Sequence, residues 1–155
     1  MSVLAYKTIR ALGYPAFWCS SRPLTLHLER AQRAGAYILA SNHLSPYDVP
    51  CLMRASPRDL DFLSIVEIER KPWAGRLFRM LNCVFLDRSQ PDLSAARQLL
   101  ERLEQGRVIA MFPEGGIRIE STSAVTGGAI KPGVAKLAQR AGVPIIPCVL
   151  LGTGI

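Results

Sequence analysis

At 155 residues the chain has the length of one ordinary domain, and its composition, 49% hydrophobic against 20% charged, supplies enough apolar material for a packed core and excludes intrinsic disorder. A formal net charge of +7 requires an anionic partner and leaves nucleic acid, a membrane surface and a phosphorylated substrate open. The cations are fifteen Arg and four Lys, scattered along the chain with neither a dense basic run nor interleaved aromatics, a pattern that argues against nucleic acid.

Residues 3–18 combine Leu, Tyr, Ile, Phe and Trp with Lys7 and Arg10, and Pro15 predicts a kink, which together read as a short interfacial helix. The polar and apolar faces separate poorly, so a helix packed on the domain fits as well. No cleavable signal pattern is present, and the two basic residues keep any apolar run below the roughly 20 residues that span a bilayer. We divide the chain into an N-terminal membrane-interface segment, 1–20, and one domain, 21–155.

From residue 24 onward the pattern alternates. Runs rich in β-formers at 24–28, 36–41, 60–66, 83–86, 108–112 and 144–151 are separated by helix-like stretches near 46–55, 72–81, 92–105 and 132–141, the signature of an α/β layer fold. Pro46, Pro72 and Pro132 stand at first helical positions, and Gly106 and Gly142 follow as C-terminal caps. The longest irregular stretch, from 113 to about 130, is rich in Gly, Ser and Thr. The chain stops just after its last strand, as a fragment would. Cys19, Cys51, Cys83 and Cys148 form no C-x-x-C pair and have no His at metal-ligand spacing, so they read as small core residues in a reducing cytoplasm, and no metal site is expected.

Ala40-Ser41-Asn42-His43-Leu44-Ser45-Pro46-Tyr47-Asp48 is a strand ending in a turn that opens a helix, the place where open α/β sheets bind ligands. With Ser45 as N-cap and Pro46 as first helical residue, Asp48 falls in the first turn and its carboxylate can fold back to His43. A carboxylate that accepts one imidazole N–H frees the other nitrogen to take a proton from a hydroxyl. Equally, Asp48 can be the acidic member of a capping box with Ser45, and His43 a plain turn residue.

Phe112-Pro113-Glu114-Gly115 leaves a second strand, with Glu114 as an acceptor for a polyol hydroxyl or, alternatively, as part of a structural turn. Phe85-Leu86-Asp87-Arg88 delivers Arg88 to a strand exit, to clamp a phosphate or to pair with Asp87 on the surface. Val143-Pro144-Ile145-Ile146-Pro147 is an apolar strand bracketed by prolines.

In this order, Asn42-His43-x4-Asp48, Phe85-Leu86-Asp87-Arg88, Phe112-Pro113-Glu114-Gly115 and Val143-Pro144-Ile145-Ile146-Pro147 resemble the four motif blocks of the glycerolipid acyltransferases, lysophosphatidic acid acyltransferases above all. The resemblance implies a glycerol-3-phosphate acyltransferase-like fold: a mixed, mostly parallel sheet with helices on both faces, preceded by a short amphipathic helix. It implies His43 as general base and Asp48 as its orienter, with Asn42, Ser45, Arg88, Glu114, Gly115, Arg118 and Lys131 as substrate-binding residues. Arg88 would take the acceptor's phosphate, Glu114 and Gly115 its glycerol, and Lys131, in the turn before a helix, would add phosphate affinity.

The acceptor would be a lysophospholipid, 1-acylglycerol-3-phosphate first, and the donor acyl-CoA or acyl carrier protein; neither a cofactor nor a covalent acyl-enzyme is implied. The enzyme would sit peripherally on the cytoplasmic face of the membrane. One departure stands out: the family usually places Thr-Arg directly after Glu-Gly, and here Gly116-Ile117-Arg118 moves the arginine one position along, which leaves the acceptor head group open. Two other readings use the same residues: a thioester or ester hydrolase whose dyad activates water, and a non-catalytic lipid-phosphate-binding module.

Overall fold

The computed structural model describes residues 3–89 and 92–154. Five strands, β1 (Tyr37–Ser41), β2 (Leu60–Ile65), β3 (Val84–Leu86), β4 (Val108–Met111) and β5 (Ile145–Cys148), form one sheet in the order β3-β2-β4-β1-β5. Every pairing among the described residues is parallel, so the expected mixture of directions reduces to a purely parallel sheet. Such a sheet needs cover on both sides, and its central strands accordingly read as unbroken apolar runs. Helices α1 (Val3–Ser20), α2 (Asp48–Ala55) and α4 (Pro72–Met80) belong to one face, where Tyr6, Leu52, Met53 and Leu81 pack with Tyr37, Leu39, Leu60, Phe62 and Val108. On the other face α5 (Leu93–Glu104) and α6 (Gly133–Ala141) bring Leu99, Leu103, Val134 and Leu137 against Ile38, Val84 and Ile109.

Local chemistry sets most of the boundaries. Asp92 caps α5 by accepting the Ala95 N–H at 2.9 Å, Pro72 opens α4, and Gly142 closes α6 at φ 64°, a left-handed position that glycine takes without strain. Three expectations are corrected. Residues 24–28 form no strand: His27 turns into the left-handed region at φ 57° and a short 3-10 turn follows at Leu28–Ala31, while both sheet edges are held by β3 and β5. The helix expected from residue 46 starts at Asp48, because 46–47 are spent in a tight turn closed by the Asp48 N–H to Ser45 carbonyl bond. A four-residue helix α3 (Val66–Glu69) follows β2 directly, too short to leave a periodic signal.

Helix α1 runs through Pro15 and packs on the domain as well as facing outward. Tyr6 is fully buried and its hydroxyl accepts the Leu60 N–H at 3.2 Å, and the Phe17 ring stacks on Tyr47 at 5.3 Å. Leu4 and Leu12 are left exposed. No described helix is long and apolar enough to cross a membrane. At the amino end of the sheet, fully buried Asp61 is bound bidentately by Arg107 and approached by Arg102 at 3.1 Å, so that a charge inside the fold is paired.

Candidate active site

Parallel strands send all their carboxyl ends to one side, and the register puts Ala40 beside Met111 and Pro147. The turns leaving β1 and β4 are therefore neighbours, with the exit of β5 beside β1, that of β2 beside β4, and that of β3 one strand further out. The first turn holds His43, whose Nδ1 lies 2.7 Å from Asp48 Oδ2. That same oxygen accepts the backbone N–H of Leu44 at 2.7 Å and of Ser45 at 2.9 Å, while Ser45 Oγ accepts the Tyr47 N–H at 3.1 Å. The sequence poses capping box and dyad as alternatives: the cap position falls on Tyr47 and not on Ser45 and carries no side-chain bond, so the expected box does not form, while Asp48 Oδ2 both accepts the Ser45 N–H in the turn and faces the imidazole.

Asp48 is fully buried. Burial pushes its pKa up, but the bonds from His43 and from the Ser45 and Leu44 N–H groups, with the Thr153 hydroxyl close by, outweigh that cost and hold the group below the usual carboxylate range. An ionised Asp48 favours the tautomer with the proton on Nδ1, in which Nε2 is the nitrogen with a lone pair to offer. The Phe112 ring covers the imidazole, centroids 3.9 Å apart and 13° from parallel. The sequence places Phe112 at the end of the 108–112 strand without a role of its own; its adjacency to His43 follows from the pairing of β1 with β4.

Several expected ligand residues are committed to the protein itself. The Asn42 amide pairs with the Leu150 backbone through two bonds, Nδ2–H to the carbonyl at 2.9 Å and Leu150 N–H to Oδ1 at 2.7 Å. Glu114 is buried: its Oε2 accepts the His43 N–H at 3.1 Å, and its Oε1 accepts the Ser123 hydroxyl at 2.8 Å and the Ala124 N–H at 2.6 Å. Ser45 is likewise buried within the turn. These three side chains fasten the His43 turn. Ser123, nine residues past Glu114 in a Ser/Thr-rich loop, carried no signal that distinguished it from its neighbours.

The cations gather at the second turn. Arg88 Nη1 donates to the Gly115 carbonyl at 3.0 Å, Arg118 Nη2 to the Glu114 carbonyl at 3.2 Å, and the Arg118 N–H to the His43 carbonyl at 2.7 Å. Lys131 lies across Gly115, so closely that an added Cβ there would sit 2.6 Å from Nζ. Gly115 also has φ +73°, so its conformation favours glycine, and any added side chain would first have to push the Lys131 ammonium aside. Arg88 engages this turn and not Asp87, whose Oδ1 accepts from Ser89. Arg88, Arg118 and Lys131, brought from three segments, thus ring one turn beside the imidazole.

A family model described as Acyltransferase matches residues 24–151. The chain belongs to the acyltransferase family. It is 30% identical over 125 residues to a probable 1-acyl-sn-glycerol-3-phosphate acyltransferase of Mycoplasma pneumoniae, covering 76% of this chain and 45% of that protein. It is also 30% identical over 138 residues to a lyso-ornithine lipid O-acyltransferase of Pseudomonas aeruginosa, covering 81% and 52%. Among solved structures, the 1-acyl-sn-glycerophosphate acyltransferase PlsC of Thermotoga maritima superposes with a TM-score of 0.73 at 27% identity, over 92% of this chain and 56% of that one. This acyltransferase chain spans about half the length of these relatives.

Proposed function

We propose that the chain carries the active site of an O-acyltransferase that moves a fatty acyl group from a thioester, acyl-CoA or acyl carrier protein, to the free hydroxyl of a lysophospholipid, with 1-acylglycerol-3-phosphate as first substrate. The observation that carries this reading is the His43–Asp48 pair opening beside Arg88, Arg118 and Lys131. His43 Nε2 takes the acceptor's hydroxyl proton as its oxygen attacks the thioester carbonyl; the C–S bond breaks, and the thiolate leaves with the proton returned from the imidazolium. Asp48 steadies that imidazolium. The three cations match an anionic head group, arginine by its planar fork. Asn42, Ser45 and Glu114 act by holding the turn, and Gly115 by letting the head group approach backbone.

The protein meets its lipid at the surface of a membrane. Leu4 and Leu12 project from α1 on the same helix as Lys7 and Arg10, which gives one element both an apolar and a cationic contact with an anionic leaflet. The test is acyl transfer on membranes with labelled thioester, scoring acylated lysolipid and free fatty acid separately. His43→Ala loses turnover by about 10³-fold or more, the scale of a missing general base in a dyad of this kind. Arg88→Ala raises the KM for phosphate-bearing acceptors. Transfer that survives His43→Ala removes the base, and free fatty acid as the main product points to the hydrolase.

A further inference from the structure

We propose that Thr153 is a positioning residue for the His43–Asp48 pair, its hydroxyl serving Asp48 Oδ1, the carboxylate oxygen that the catalytic turn leaves without a donor. This rests on the general-base reading of the pair. Among the described residues Asp48 Oδ2 is met by three donors, whereas Oδ1 is buried and meets no hydrogen-bond partner. Thr153 Oγ1 is likewise buried and has no hydrogen-bond partner among the described residues. An orphan acceptor and an orphan donor are each costly inside a protein, and the two costs cancel when the groups face each other.

The segment after β5 is held where that meeting occurs. The Asn42 amide locks the Leu150 backbone to the turn, and a Cβ built on Gly154 would touch Leu44 Cβ at 3.7 Å. The Thr153 hydroxyl lies near enough to count among the groups that depress the Asp48 pKa, behind burial and the His43 and Ser45 bonds. Holding the second oxygen fixes the plane of the carboxylate, and with it the direction in which Nδ1–H, and therefore Nε2, points. Thr153 lies beyond the last residue of the family match, outside all four motif blocks.

The test compares Thr153→Val, which keeps the shape and deletes the hydroxyl, with Thr153→Ser, which keeps the hydroxyl; Thr153→Ala is a second deletion. Thr153→Val lowers kcat about tenfold with KM within about twofold, and Thr153→Ser restores it, as for one lost bond to a charged group. Independently of turnover, the Asp48 ¹³Cγ titration midpoint rises in Thr153→Val and returns in Thr153→Ser. An unmoved midpoint in folded Thr153→Val and Thr153→Ala overturns the proposal, as does an equal loss of kcat in Val and Ser. His43→Ala separates the causes: loss there with none in Thr153→Val rejects Thr153 alone, while full turnover in both rejects the base itself.

Discussion

Among single residues, two carboxylates near His43 do different work. Asp48 has a folded pKa below its ordinary value, so the stability it contributes is present above about pH 4 and is lost as pH falls through the lower folded value. The melting temperature of the wild type therefore drops on acidification below that point, and Asp48→Asn, which cannot titrate, shows a flatter curve in the same scans. Glu114 accepts at both oxygens from three donors. In Glu114→Gln one of those oxygens becomes an NH₂ facing an N–H or O–H, which leaves a buried donor unpaired at a cost of about 1–3 kcal/mol. Thermal melting reads this as a lowered midpoint, and because the His43 backbone loses its anchor, kcat falls as well. The pairing of His43 with Asp48 was legible from five-residue spacing and a proline. The Asn42–Leu150 and Glu114–His43 bonds were not, since they span 108 and 71 residues and no local pattern encodes them.

At the scale of elements, the sequence located every strand of the sheet and helices α4, α5 and α6, because Pro72, Gly106 and Gly142 mark their ends; Pro132 falls one position before α6, and the Asp92 cap of α5 went unread. It added a strand at 24–28, where the chain instead turns into the left-handed region at His27 and enters a 3-10 turn, so β-propensity loses to context. It left α1 divided between two readings, and α1 satisfies both: Tyr6 is sunk in the core while Leu4 and Leu12 face outward. Glycine spacing inside helices separates two further cases. A Cβ at Gly75 would lie 2.2 Å from the Glu69 carbonyl oxygen, where α4 crosses α3, whereas Gly13 in α1 has nothing within 4 Å. Gly75→Ala therefore destabilises by about 1–3 kcal/mol through a backbone clash. Gly13→Ala stabilises by about 0.5–1 kcal/mol through helix propensity. Chemical denaturation of the two variants side by side gives opposite signs if the packing is as described.

For the molecule as a whole, the thiols report how tightly the layers close. Burial pushes the Cys83 thiol up to about 12, and Cys51 and Cys148 rise for the same reason, whereas Cys19 is exposed on α1, contrary to the expectation of four core cysteines. At pH 8 an aromatic disulfide reagent modifies Cys19 promptly and the buried thiols only as fast as the sheet and its helices part, so the slow phases measure opening of the fold. Fast labelling of Cys83 in the native protein contradicts the buried core. The parallel sheet has a last consequence. β1 is flanked by β4 and β5, and the Asn42 amide closes only on Leu150, so the His43 turn has its final neighbours only when residues more than a hundred positions later are in place. During synthesis the amino-terminal motif leaves the ribosome long before its supports do, and the His43 turn reaches its final geometry only after the segment around Leu150 has emerged.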